Sequence, residues 1–115
     1  MKQRNDIIRI KHMLDASIEA SEFLGAASLE GLKTNRILAN AIVRSLEVVG
    51  EAARQVSQDF KDKHQEIEWQ VIVGMRNRLI HAYFDIDFLV VWSTVHNDLP
   101  PLIVRLKSII ANPAS

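Results

Sequence analysis

The stretch TNRILANAIVRSLEVVGEAARQVS, residues 34–57, decides the fold. Leu38, Ile42, Leu46, Val49, Ala53 and Val56 recur every three or four positions, with Ile37, Ala41, Val48 and Ala52 beside them. That period belongs to a helix, and so broad an apolar face belongs to a central helix touched from more than one side. Upstream, Ile7, Ile10, Leu14 and Ile18 place a second stripe on a helix from about Gln3 to Leu24, with Gly25 as its stop. Ser28-Leu-Glu-Gly31 then reads as a short turn. Downstream, residues 58–68 are densely charged, and Phe60 and Ile67 are their only apolar anchors. They read as a connection with helical ends.

A third helix is expected from near Trp69 to Ala82–Phe84, with Ile72, Met75 and Leu79 on its inner face. Asp87 is a candidate N-cap for a helix through Phe88, Val91, Trp92 and Val95, continuing past Pro100-Pro101 into Leu102, Val104, Leu106 and Ile109. Pro100 lacks the backbone N–H a helix interior needs, so it either opens a new helix or kinks the old one. Strand-like alternation is absent over any useful length, and residues 112–115 read as a frayed tail. The expected architecture is an all-α, compact bundle of four to five helices, in one domain spanning residues 1–115.

The 115 residues, 48% of them hydrophobic and 24% charged, suit one small globular domain. Fourteen basic residues balance fourteen acidic ones, so an anionic partner must be met by a local patch and not by bulk charge. The absence of cysteine removes disulfides, thiolate catalysis and zinc–thiolate sites. No secretion signal and no apolar run near membrane-span length is visible, so a soluble cytoplasmic protein is expected.

Chemistry concentrates in Gly74-Met-Arg76-Asn77-Arg78-Leu-Ile-His81-Ala-Tyr83, where two guanidiniums, an amide, an imidazole and a phenol fall within eight positions. Arginine offers a permanently charged fork for phosphate oxygens, and histidine exchanges a proton near neutrality. Together they suit phosphoryl chemistry without a metal. On an ideal helix Asn77 and His81 share a face, whereas Arg76 and His81 lie about 140° apart. The pair therefore converges only if the helix unwinds near His81 or a second subunit completes the site. The same residues also suit a solvated surface or a buried polar network.

Other groups argue less. His12, His64 and His96 are scattered, with no carboxylate at metal-ligand spacing, so no metal and no cofactor is expected. Glu47 and Glu51, one turn apart, are expected to contact Arg44 or Arg54. Trp69, Trp92, Phe23 and Phe88 are expected in the core. Arg9, Lys11, Arg36 and Arg54 read as a solvated face.

Arg76-Asn-Arg-Leu-Ile-His81-Ala-Tyr83 resembles the R-x4-H-x-Y signature of the HepT-like branch of the HEPN superfamily, the higher eukaryotes and prokaryotes nucleotide-binding domains. Arg44-Ser-Leu-Glu-Val-Val-Gly-Glu-Ala52 is similar to that family's R-N-L-E-I-I-G-E-A segment, with Ser45 where Asn is frequent. Ile67-Glu-Trp69, Asp85-Ile-Asp87-Phe-Leu-Val-Val-Trp92 and Asp98-Leu-Pro100 extend the likeness over nearly the whole chain.

The resemblance implies a HEPN-like helical homodimer and a metal-independent endoribonuclease, the toxin of a type VII-like toxin–antitoxin pair with a nucleotidyltransferase of the MNT type as antitoxin. It maps the catalytic pair onto Arg76 and His81, a polar position onto Asn77 and the tyrosine modified with AMP onto Tyr83; from the residues themselves, Asn77 is expected to orient the imidazole or bind a phosphate oxygen, and Arg78 to support phosphate binding. The substrate implied is RNA; separately, the residue types suit attack of an RNA 2′-hydroxyl on the adjacent phosphate with a 2′,3′-cyclic phosphate as the product end, and a single-stranded loop such as a tRNA anticodon offers accessible bases. The alternatives are a non-cleaving nucleotide-binding or scaffolding partner of a nucleotidyltransferase, and a structural helical dimer.

Overall fold

A computed structural model describes residues 2–81 and 85–112, without the side chains of residues 2–4 and 81. The long helix α1 (Lys2–Leu24) ends at Gly25, whose φ of 51° supplies the left-handed stop. The expected turn at Ser28 is instead the start of a helix, α2 (Leu29–Lys33), because the Ser28 Oγ accepts a hydrogen bond from the Gly31 N–H at 3.0 Å. The central helix α3 (Arg36–Arg54) starts later than Thr34. Asn35 caps it, accepting from the Leu38 N–H at 3.1 Å.

The charged connection forms helix only at its beginning, α4 (Gln58–Lys63). Its cap Ser57 is tied to α1. The buried Asp6 carboxylate accepts from the Ser57 N–H at 2.8 Å and from the Ser57 Oγ at 2.6 Å. Phe60 and Ile67 are buried, as their isolation among charges implies.

The third helix differs from expectation. It is two short helices, α5 (Trp69–Val73) and α6 (Met75–Leu79), hinged at Gly74, whose ψ of 3° leaves the helical basin. It also stops before its expected end. Ile80 takes extended angles (φ −127°, ψ 121°), and β1 (Ile80–His81) pairs antiparallel with β2 (Asp85–Ile86). The Leu79 carbonyl accepts from the Asp87 N–H at 2.8 Å, and the Asp87 carboxylate caps α7 (Phe88–Ser93) through the Val90 N–H at 3.1 Å. These bonds, with Ile86 buried, replace the next helical turn.

Pro100 lies in a helix that continues: the backbone stays helical from Phe88 through Asp98 and Leu99, with a widened turn ahead of the prolines. Residues Thr94–Asp98 form a π-helical turn in which the Leu99 N–H reaches back to the Thr94 carbonyl, and α8 (Leu99–Ala111) begins with the prolines in its first turn. Residues 113–115 of the expected frayed tail lie outside the described residues.

The buried apolar side chains form one continuous cluster, and α3 lies at its centre with α1 along one side and α5–α6 along another. On α1 the buried face is Ile10, Met13, Ala16, Ala20 and Leu24, with Ser17 also buried. Ile7, Leu14 and Ile18 sit at its margin. Small residues at 16, 17 and 20 let α3 approach closely. Ile37 is 85% exposed and Phe23 43%, so neither belongs to the core as expected, while Trp69 is buried. The fold is all-α apart from the two-residue ladder, and among the described residues no helix is long and apolar enough to cross a membrane.

Candidate active site

Glu47 and Gly50 lie one turn apart on α3, facing α5 and α6. A Cβ at Gly50 would sit 3.2 Å from the Ile72 carbonyl, so glycine is what lets α5 come this close to the central helix. That approach brings Arg76, on the first turn of α6, over α3. Its Nε donates to the Glu47 Oε2 at 2.7 Å. Glu47 is three-quarters covered while Arg76 is 69% exposed, so the carboxylate is fixed and the guanidinium stands at the surface.

Nε is the nitrogen nearest the stem. No bond from either terminal nitrogen of Arg76 is found among the described residues. The pair borders a cleft of about 260 Å³ lined by Arg44, Glu47, Gly50, Glu51, Val73 and Arg76. Arg44 has no ion-pair partner among the described residues, and Glu51 pairs with Arg54 at 3.0 Å. Glu51 thus behaves as the sequence suggests, whereas Glu47 reaches across to α6 instead of along its own helix. The sequence carried a signal for this only in the position of Glu47 within the 44–52 segment, one turn before Gly50.

The remaining signature residues are placed unequally. Asn77 and Arg78 are exposed on α6. Arg78 turns away from Arg76. Its Nη2 donates to the Val71 carbonyl at 3.3 Å, and it lines a different cavity, against α8. His81 lies on β1, opposite Asp85, and not on a helix, so Asn77 and His81 do not share a helical face. The imidazole of His81 and the whole of Tyr83 lie outside the described residues.

The other histidines have local partners or lie in solvent. His64 is buried against the Phe60 ring, with ring centroids 4.4 Å apart, and its carbonyl accepts from the Trp69 Nε1 at 3.0 Å. His96 stacks on Trp92 at 4.4 Å, and His12 is exposed. Among the described residues no three His, Asp or Glu side chains are grouped to hold a metal ion.

Comparison with known proteins gives one consistent answer. The profile of the family described as Ribonuclease HepT-like matches residues 13–109. A protein named "Putative RNase" from Caldanaerobacter subterraneus subsp. tengcongensis is 34% identical over 101 residues, covering 88% of this chain and 90% of that protein. A second of that name, from Methanocaldococcus jannaschii, is 32% identical over 102 residues, covering 89% and 94%. A "Probable ribonuclease HepT" from Thermococcus cleftensis is 48% identical over 62 residues, covering 54% and 56%. No solved structure matches.

Proposed function

The chain belongs to the HepT-like ribonuclease family, and from that premise we propose that it is a metal-independent endoribonuclease whose catalytic pair is Arg76 and His81. The observation that carries the proposal is the Arg76 guanidinium, held at its Nε by Glu47 at the border of a surface cleft, five residues before a histidine on extended backbone.

In the reaction, an RNA 2′-oxygen attacks the adjacent phosphorus. Its bond to phosphorus forms as the bond to the leaving 5′-oxygen breaks, giving a 2′,3′-cyclic phosphate and a 5′-hydroxyl. His81 takes the 2′ proton or supplies one to the leaving oxygen. Arg76 neutralises the charge that builds on the non-bridging oxygens, a term worth most where the donor is fixed in advance. Asn77, exposed beside Arg76, binds a phosphate oxygen, and Arg78 supports the strand further along α6. A single chain offers one such pair, and two α6 segments meeting across a homodimer axis bring two pairs to one groove.

The biological setting proposed is that of a cytoplasmic toxin of one domain, residues 1–115, cutting RNA such as a tRNA loop and paired with a nucleotidyltransferase of the MNT type. Transfer of AMP to the Tyr83 hydroxyl sets bulk and negative charge two residues from His81 and so excludes RNA by sterics and repulsion.

Cleavage of total and transfer RNA in EDTA by the purified chain tests this, with His81→Ala and Arg76→Ala alongside and fragment ends analysed. Cleavage with cyclic phosphate ends, lost in both variants, is the expected result. No cleavage by folded protein whose mass shows Tyr83 free of AMP refutes it.

A further inference from the structure

Arg78 points into a second cavity, of about 330 Å³, enclosed by α5–α6 on one side and by the π turn and the start of α8 on the other. Its apolar lining is the buried Ile72, Met75, Leu99 and Leu102 with the exposed Val71 and Pro101, and the buried Thr94 lies among them. Its rim is charged: Arg78 and Arg105 on the cationic side, Glu68 and Asp98 on the anionic side, with Asn97 between. Although all four charges border one cavity, they form no ion pair with one another or with any other described residue. Opposite charges that share a rim without pairing are available to a ligand carrying both an anion and hydrogen-bond donors.

The wall is itself unusual. The π turn over Thr94–Asp98 adds a residue per turn just ahead of the two prolines, and it is this wide turn that sets Asn97 and Asp98 at the mouth. Such insertions recur at functional sites. Asp98 makes no capping bond to α8 and Arg105 none to any neighbour, so neither is employed in holding the fold.

We propose that this cavity is a ribonucleotide subsite: Arg78 and Arg105 bind a phosphate, the apolar lining receives the base, and Asn97 with the Asp98 and Glu68 carboxylates accepts from an exocyclic amine. The proposal rests on the ribonuclease reading for its substrate, and it places one nucleotide of the strand on the face of α6 opposite Arg76. A volume near 330 Å³ is at the small end of ligand pockets and suits a mononucleotide. A carboxylate accepts readily from an exocyclic amine, which uracil lacks, and the two carbonyls flanking uracil's N3–H repel it, so adenine, cytosine and guanine are preferred to uracil.

The test is binding, read apart from cleavage. The full chain is titrated by calorimetry at low salt with the four 5′-nucleoside monophosphates, which hold no bond to cut, and with inorganic phosphate. AMP, CMP and GMP are expected to bind more tightly than UMP, and all four more tightly than phosphate. Arg105→Ala should weaken every nucleotide by about tenfold or more. Asp98→Asn should weaken the amino-bearing three by about fivefold and leave UMP unchanged. Equal affinity for phosphate and all nucleotides, or binding indifferent to both substitutions, overturns the subsite. Binding with this pattern by a protein that cuts no RNA keeps the subsite and refutes the ribonuclease. Cleavage by a protein that binds no mononucleotide does the reverse.

Discussion

Removing the Glu47 carboxylate separates what holds the protein together from what prepares it for catalysis. The bond from Arg76 Nε to Glu47 Oε2 is short, 2.7 Å, but its cation is 69% exposed. A pair that open to solvent contributes only about 0.2–1 kcal/mol to folding. Glu47→Ala should therefore lower the melting temperature by less than about 5 °C. Its effect on activity should be larger. An arginine freed from a fixed partner recovers rotamer entropy of about 1.5–2 kcal/mol. If the transition state must find that guanidinium already aimed, the same amount is lost from kcat/KM, a fall of about tenfold to thirtyfold. Glu47→Gln keeps an acceptor oxygen and should lie between. The assay is single-turnover cleavage of an RNA oligonucleotide beside a thermal melt of each variant. Full activity in Glu47→Ala would refute the positioning role. A rise in activity would show that Glu47 competes with phosphate for Arg76, and a collapse of the fold would show that the pair is structural.

Three further outcomes follow from contacts elsewhere. Gly50→Ala adds a Cβ 3.2 Å from the Ile72 carbonyl and so pushes α5 from α3, while alanine favours helix by about 1 kcal/mol. Stability should change by less than about 1 kcal/mol while cleavage falls, which the same melt and kinetic assay resolve. Asp6→Ala strips the Ser57 N–H and Oγ of a buried acceptor and should cost about 1–3 kcal/mol by urea unfolding. Asp87→Ala removes the cap of α7 at a cost of about 1 kcal/mol, and amide exchange should quicken at Val90, whose N–H loses its acceptor.

The helices were legible wherever the period ran long. The stripe through Ile42, Leu46, Val49 and Ala53 marked the central helix, and all four are buried, while Val56, also buried, lies past the helix end at Arg54. Local chemistry was legible where one side chain decides it, as in the Asp87 cap and the left-handed Gly25. The centre of the α1 face was less so. Alanine and serine carry little hydrophobic weight, yet Ala16, Ser17 and Ala20 are buried because their smallness is what close packing against α3 requires. Ile37 failed in the opposite way, since an apolar residue at a helix end has no neighbour to cover it and stays exposed.

The partner of Glu47 was hidden for a different reason. A carboxylate on a helix has arginines at plus or minus three or four as its cheapest contacts, and Glu51 takes that option with Arg54. Glu47 does not, because its side of α3 is overlaid by α6, which brings in an arginine 29 residues away. Only the placement of a second helix could reveal that contact. Gly50, which makes the placement possible, reads in the sequence simply as an interruption of the pattern.

The ending of α6 has the largest consequence. Helical rotation sets residues five apart at about 140°, which would leave Arg76 and His81 on different faces. Continuing the helix past Leu79 would keep that angle whatever the side chains did. The helix ends instead: the Leu79 carbonyl accepts from the Asp87 N–H and Ile80 lies opposite Ile86, so that His81 is carried on extended backbone. Those bonds depend on residues six to eight positions further on, which the helical pattern of residues 69–79 gives no reason to consult. The loss of helix is therefore encoded by Asp85-Ile86-Asp87 and not by the signature itself. A proline at Ile86 would remove a buried side chain and fix φ at about −65°, away from the extended angles the ladder needs. The reasoning predicts that Ile86→Pro loses cleavage out of proportion to its effect on the α1–α3 core.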